Sequence, residues 1–293
     1  MIFLQSLIDA IALGALFALV AMGLGLMFGV LRLINFAYGE LITAGAYALL
    51  VTKDQPAWFG IIVALAVVVI LGLLMDVTFR PLRLASPTTM LIATFAVSFL
   101  LQNVAVLTFG TRGEAIGFLP VLNQAVTIGD LRIRWVTLAS IAIGTILLVS
   151  VWLLLTRTGI GLQIRAAAAD FRMARILGVR ANNVIRLAFV LAAVLAAVVS
   201  LMLAIQRPLA TPTFGFLVVI PALVGIVVGG MDRLVSATLG GFAIGVATGL
   251  LGNLLPSEQR VFLNTALFVV VIVVLLWKPN GLFVRSTEAV ERL

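Results

Sequence analysis

Apolar runs of about 17–25 residues recur from one end of the chain to the other, each long enough to cross a hydrocarbon core of about 30 Å. They predict membrane-spanning helices at 4–31, 36–52, 59–79, 88–109, 135–156, 184–205, 214–230, 234–251 and 261–277. Asp54-Gln55-Pro56, Arg80-Pro81, Arg207-Pro208 and Leu255-Pro256 break the runs at their joints. The pattern predicts an all-α polytopic membrane protein of about nine helices, range 8–10, forming one transmembrane domain over residues 1–293. The interval 206–256 leaves the count most open. Two connections are long enough to carry structure of their own, 110–134 and 157–183. In the first, Val126-Thr-Ile-Gly-Asp-Leu-Arg-Ile-Arg134 alternates around Gly129-Asp130 and predicts a small β-hairpin.

Composition turns this pattern into exclusions. The chain is 63% hydrophobic and 10% charged, whereas soluble domains are about 45–50% apolar. The first run is too long for the core of a cleavable signal and reads as the first span. Without cysteine there is no disulfide framework or thiol chemistry. Without histidine the commonest general base and metal ligand are missing, which argues against metalloprotease, haem and zinc centres. The carboxylates are scattered one or two to a loop, so the chain does not read as an enzyme. Its two lysines, Lys53 and Lys278, follow Thr52 and Trp277, and no P-loop occurs. If ATP drives this protein, another subunit binds it.

The net charge of +8 is explained by orientation. With 157–183 in the cytoplasm and the spans alternating, thirteen Lys and Arg fall inside and six outside. The positive-inside rule then predicts the N-terminus outside and the C-terminus in the cytoplasm, and the charge requires no nucleic acid. Trp58 and Trp135 open spans on the outer side, and Trp152 and Trp277 close spans on the inner side, as an aromatic belt does.

Two segments carry candidate chemistry. In Asn35-Phe-Ala-Tyr-Gly-Glu-Leu-Ile-Thr-Ala-Gly-Ala-Tyr47, Glu40, Thr43 and Tyr47 share one helix face at i, i+3, i+7. A charge near the middle of a span costs at least about 2.5–3.5 kcal/mol and normally faces protein or water. Asn35, Glu40, Thr43 and Tyr47 therefore read either as a polar stripe on a translocation path, or with Glu40 capping a helix start and snorkelling. The glycines Gly23, Gly25, Gly29, Gly39 and Gly45 predict close helix packing. Asp76 and Arg80 read as an i, i+4 ion pair, and Gln102, Asn103 and Asn264 as interhelical hydrogen bonders or interface residues.

In the second segment Gly159 and Gly161 break the preceding span, and 162–177 forms a helix ending at Gly178. Arg165, Ala168, Arg172 and Arg175 lie along one stripe. Ala167, Phe171, Ala174 and Gly178 form a neighbouring small-residue and aromatic ridge. The ridge suits either anionic headgroups or a groove on a cytoplasmic partner, and its alanines favour close protein contact.

Three stretches carry a family resemblance: Gly25-Leu-Met-Phe-Gly-Val-Leu-Arg-Leu-Ile-Asn-Phe-Ala-Tyr-Gly-Glu40; Gly161-Leu-Gln-Ile-Arg-Ala-Ala-Ala-Ala-Asp-Phe-Arg-Met-Ala-Arg-Ile-Leu-Gly178; and Val228-Gly-Gly-Met231 with Leu239-Gly-Gly241 and Lys278-Pro-Asn-Gly-Leu-Phe283. In that order the chain resembles the LivH-like inner-membrane permeases of branched-chain amino acid ABC importers. The resemblance implies an ABC importer permease fold in a bacterial or archaeal cytoplasmic membrane. It also implies a second permease (LivM-like or a second copy), two cytoplasmic ATPase subunits that bind ATP and Mg, and an external substrate-binding protein. Arg165, Ala167, Phe171, Arg172, Ala174, Arg175 and Gly178 would then lie on the ATPase-coupling helix. Similar permeases move urea or short amides, so the solute stays open. An ion-coupled secondary carrier is the reading of another class; it needs paired intramembrane charges, and Glu40 is the one clear candidate.

Overall fold

The structure, a computed structural model, describes residues 2–31, 35–128, 131–169, 171–230, 233–255, 259, 262–278 and 282–283. Its centre is α1 (Ile2–Leu31), the most buried of the long helices. Around it the chain runs through α2 (Tyr38–Val51), α3 (Ala57–Phe79), α4 (Pro87–Phe109), α5 (Trp135–Arg157), α6 (Gly159–Ala169), α7 (Phe171–Ile176), α8 (Ala181–Gln206), α9 (Phe216–Gly229), α10 (Leu234–Leu254) and α11 (Leu263–Trp277).

Lipid tails are as apolar as leucine, so helices in a bilayer associate through close packing rather than water exclusion. The α1–α10 pair follows this rule. The two helices run antiparallel, with Gly245 against Gly14, Gly249 against Ala10 and Gly241 against Phe17 and Ala21. Gly240, one residue round α10, meets Gly225 and Gly229 of α9. The expected glycine packing also holds at Gly25, which faces Leu234 of α10, and at Gly45, which faces Ser200 of α8 and Val68 of α3. By contrast α3, α4 and α5 expose rows of Val, Ile, Leu and Phe, a surface suited to lipid or to another helix.

Six helices are long and apolar enough to cross a membrane among the described residues: α1, α3, α4, α5, α8 and α10. The expected spans at 36–52, 214–230 and 261–277 are shorter apolar helices instead. At about 1.5 Å per residue, the 14 residues of α2 and the 14 of α9 reach only about 21 Å each. Both start inside the protein. Tyr38 Oη donates to the carbonyl of Ala192, near the middle of α8, at 3.2 Å. Gly215, which precedes α9, donates its N–H to Thr43 Oγ1 at 3.0 Å, and Gly39 packs against the Phe216 backbone, so the starts of α2 and α9 meet. Non-helical backbone at such depth is tolerated because protein surrounds it.

The connections are consistent with alternating sides. β1 (Glu114–Ala115) pairs antiparallel with β4 (Leu209–Ala210), joining the connection after α4 to the one after α8. The hairpin expected at 126–134 is present as β2 (Ala125–Ile128) paired with β3 (Leu131–Arg134); its turn residues, Gly129 and Asp130, lie outside the described residues. The ion pair expected between Asp76 and Arg80 takes another form. Arg186 Nε of α8 lies 3.8 Å from Oδ2 of the buried Asp76, tying α3 to α8.

Candidate functional site

Four polar residues of the α2 region were expected to line a path, and three of them do share a cavity. Glu40, Thr43 and Tyr47 project from α2 into a space of about 330 Å³. Val63, Val67 and Leu71 of α3 and Leu101, Val104 and Phe109 of α4 form its walls. The helical period brings the three together, since i, i+3 and i+7 fall on one face. Asn35 does something else. Its Oδ1 accepts the N–H of Ala37 at 3.0 Å and its Nδ2 lies 3.2 Å from Met27 Sδ, so it shapes the turn that launches α2.

Glu40 does not snorkel. It is 2% exposed, and its Oε1 accepts bonds from Ser98 Oγ at 2.9 Å and Gln102 Nε2 at 2.8 Å, both on α4. Two donors on one carboxyl oxygen are what lets such a group be buried. Gln102 is thus the interhelical hydrogen bonder it was expected to be. Asn103 instead bonds the Phe99 carbonyl of its own helix, and the side chain of Asn264 lies outside the described ones. Ser98 went unnoticed in the sequence, although its i, i+4 spacing to Gln102 could have flagged a two-donor face.

Thr43 stitches elements together: its hydroxyl donates to the Gly39 carbonyl at 3.2 Å and accepts the Gly215 N–H. Tyr47 stacks on Phe109 with ring centroids 4.3 Å apart, and its buried hydroxyl has no hydrogen-bond partner. Side-chain links from α4 therefore reach α2 and its preceding turn at three levels: Phe95 to Phe36, Ser98 and Gln102 to Glu40, and Phe109 to Tyr47. Replacing Gln102 by Leu and Ser98 by Ala together removes two bonds to Glu40, each worth about 1.5–3 kcal/mol if the group is charged, and is expected to loosen α4 by about 3–6 kcal/mol. Hydrogen exchange of α4 amides should accelerate accordingly while α1 stays protected; unchanged exchange in α4 contradicts the attachment described.

The second candidate segment is helical and stops at Gly178 as expected, but α6 already begins at Gly159, and two residues of the expected contact ridge, Ala167 and Ala174, turn inward. Thr158 opens α6 and accepts the Gly161 N–H through Oγ1 at 3.1 Å, an N-cap between α5 and α6. At the far end Gly178 has φ +86°, and Val179 N–H reaches back to the Ala174 carbonyl at 3.0 Å, a Schellman stop. The expected contact ridge turns toward the protein: Ala167 and Ala174 are each 3% exposed. Small residues on an amphipathic helix permit close approach, and here the chain's own helices use it. Outward face Met173, Ile176 and Leu177, the last two more than 70% exposed. Arg165 Nη1 donates to the Leu155 carbonyl at 2.6 Å and so caps the end of α5. The side chains of Phe171, Arg172 and Arg175 lie outside the described ones.

Known proteins match the sequence of this chain along its length. The family model for the branched-chain amino acid transport system / permease component matches residues 6–277. The high-affinity branched-chain amino acid transport system permease protein BraD of Pseudomonas aeruginosa is 29% identical over 299 residues, covering 97% of this chain and 96% of that protein. The permease protein LivH of Salmonella typhimurium is 30% identical over 300 residues, with the same coverage. Among solved structures, PsaBC from Streptococcus pneumoniae in complex with Fab has a TM-score of 0.49 at 17% identity, covering 94% of this chain and 90% of that one; it is too distant to add to the assignment. With the family model spanning 6–277 and relatives matched nearly end to end, the chain belongs to the family of permease components of branched-chain amino acid transport systems: a multi-pass membrane transport subunit, not a catalytic one.

Proposed function

We propose that this chain is the permease subunit of an ATP-binding-cassette importer and forms the transmembrane path for a branched-chain amino acid. The observation that carries this reading is the match over 6–277, together with relatives named as branched-chain amino acid permeases and covered over 96% of their length. In this reading the chain crosses a prokaryotic cytoplasmic membrane about nine times as one domain, with the N-terminus outside and the C-terminus in the cytoplasm. The positive-inside distribution supports that orientation. The path includes Glu40, Thr43 and Tyr47. A second permease, either a different chain or a second copy, completes the membrane part. An external binding protein delivers the solute, and two cytoplasmic ATPases hold ATP and Mg. Purification in mild detergent followed by mass spectrometry tests this: an ATPase and a second permease should come down with the chain, and deletion of its gene should abolish leucine uptake. Recovery of the chain alone, with uptake persisting from a gradient without ATP, would instead identify a secondary carrier.

The segment α6–α7 is the surface we assign to the ATPase. The exposed trio of Met173, Ile176 and Leu177 supports this, and it replaces the alanine ridge as the contact. Large apolar side chains outside a folded core mark interaction sites. Replacing Met173 and Leu177 together by Ser is expected to lower solute-stimulated ATP hydrolysis about tenfold, equivalent to about 1.4 kcal/mol of lost interaction. Melting of the purified chain should not change, because both side chains are already exposed. Full coupling in the double variant would remove this surface from the assignment.

A further inference from the structure

The polar and apolar parts of the cavity between α2, α3 and α4 are segregated. Glu40 lines it with both of its described hydrogen bonds on Oε1, leaving Oε2 without a described donor. Oε2 is open to the cavity, and a carboxyl oxygen facing an apolar-walled space is served by a cationic or hydrogen-bond-donating occupant. Among the described residues no Lys or Arg lines the cavity, and its walls are mostly Val, Leu and Ala. A cationic partner for Glu40 would therefore come from outside the described residues, and the apolar walls suit an aliphatic body attached to it. The volume of about 330 Å³ is far above the about 10–15 Å³ needed to admit one water, and is ample for a small aliphatic amine.

We propose that this cavity is a solute subsite in which the Glu40 carboxylate takes the ammonium group of an aliphatic amino acid and the α3 and α4 walls take its branched side chain. Val67 and Leu71 face the solute's methyl groups from α3, and Val104 and Ala105 from α4. The unpaired hydroxyl of Tyr47, on the same face of α2, is a further donor along the solute's course. This inference rests on the import reading above. The side opening makes a lipid acyl chain the rival occupant, since Val67 and Val104 remain 39% and 47% exposed.

A diazirine analogue of leucine, photoactivated in membrane vesicles from cells expressing the full chain, tests the subsite. Peptides of α3 and α4 should carry the label. Leucine and isopentylamine should displace it, and 4-methylpentanoate, which lacks the ammonium, should not. Glu40→Gln keeps an acceptor for Ser98 and Gln102 while removing the charge, and should lower labelling about tenfold, matching the loss of one charge-assisted contact. Ala105→Leu fills the cavity without touching Glu40 and should lower it as much. Label landing outside α3 and α4, displacement by 4-methylpentanoate as readily as by the amine, or labelling of these walls by a fatty-acid diazirine that leucine cannot displace overturns the subsite. Failure of the import reading has a separate signature: the wild-type chain then supports no leucine uptake. A misplaced subsite leaves that uptake intact while the label falls elsewhere.

Discussion

Gly215→Ala is expected to abolish uptake and to destabilise the chain by about 3 kcal/mol or more, beyond the usual 1–3 kcal/mol of overpacking, because the clash is with backbone. Gly215 precedes α9 with φ −75° and ψ −28°, a conformation any residue adopts. What excludes a side chain is space. A Cβ at Gly215 would fall on the carbonyl of Gly39, in the first turn of α2, and against Cβ of Ile42. The two short helices would have to separate, breaking the bond from Gly215 N–H to Thr43 Oγ1. That joint holds the polar face of α2 in place, so the expected loss is of transport as well as of folding. Gly39→Ala is the matched comparison. Its Cβ would lie 3.3 Å from Phe216 N, a tight contact that small adjustments relieve, so it should cost less. Thermal unfolding in detergent and leucine uptake by cells check both variants. Equal stability of the two alanine variants contradicts the joint as described.

Gly245→Ala is expected to cost about 1–3 kcal/mol, and Gly245→Leu more, through the central α1–α10 packing. The added methyl would sit 2.6 Å from Gly14 Cα and 2.8 Å from the Leu13 carbonyl oxygen, so the helix axes must part. Gly252 supplies the opposite sign on the same helix. A Cβ there would meet Leu263 side-chain atoms at 3.9–4.0 Å, an ordinary contact. Alanine is favoured over glycine in helix interiors by about 0.8–1.0 kcal/mol. Gly252→Ala should therefore leave the melting temperature unchanged or raise it while Gly245→Ala lowers it. Parallel behaviour of the two would mean that backbone approach does not hold α1 to α10.

Glu40, Thr43 and Tyr47 were legible as one face because helical spacing dictates which residues align. Their partners were not legible. Ser98 and Gln102 lie about sixty residues away, and no local pattern says which helix will stand opposite α2. Asn35 joined the polar list on type alone, whereas its bond to Ala37 makes it a turn residue. The 157–183 segment repeats the lesson. Periodicity correctly grouped Ala167 with Ala174 and stopped the helix at Gly178, but spacing cannot say which face turns inward. Alanines that permit close approach serve a distant partner and the chain's own core equally well, and here the core has them.

The sequence by itself determined that this is a helical membrane protein without an imidazole, a thiol or a P-loop, and its stretches already resembled the family whose model matches residues 6–277. Those properties follow from composition, run length and short-range spacing, which neighbouring residues specify directly. Only the tertiary structure decided that α2 and α9 start inside the protein, that Glu40 is held by α4, and which face of α6–α7 turns inward. Depth and facing arise from contacts between residues far apart in the chain, and in a bilayer those contacts depend on where backbones can approach, at Gly215, Gly245 and Gly241 above all.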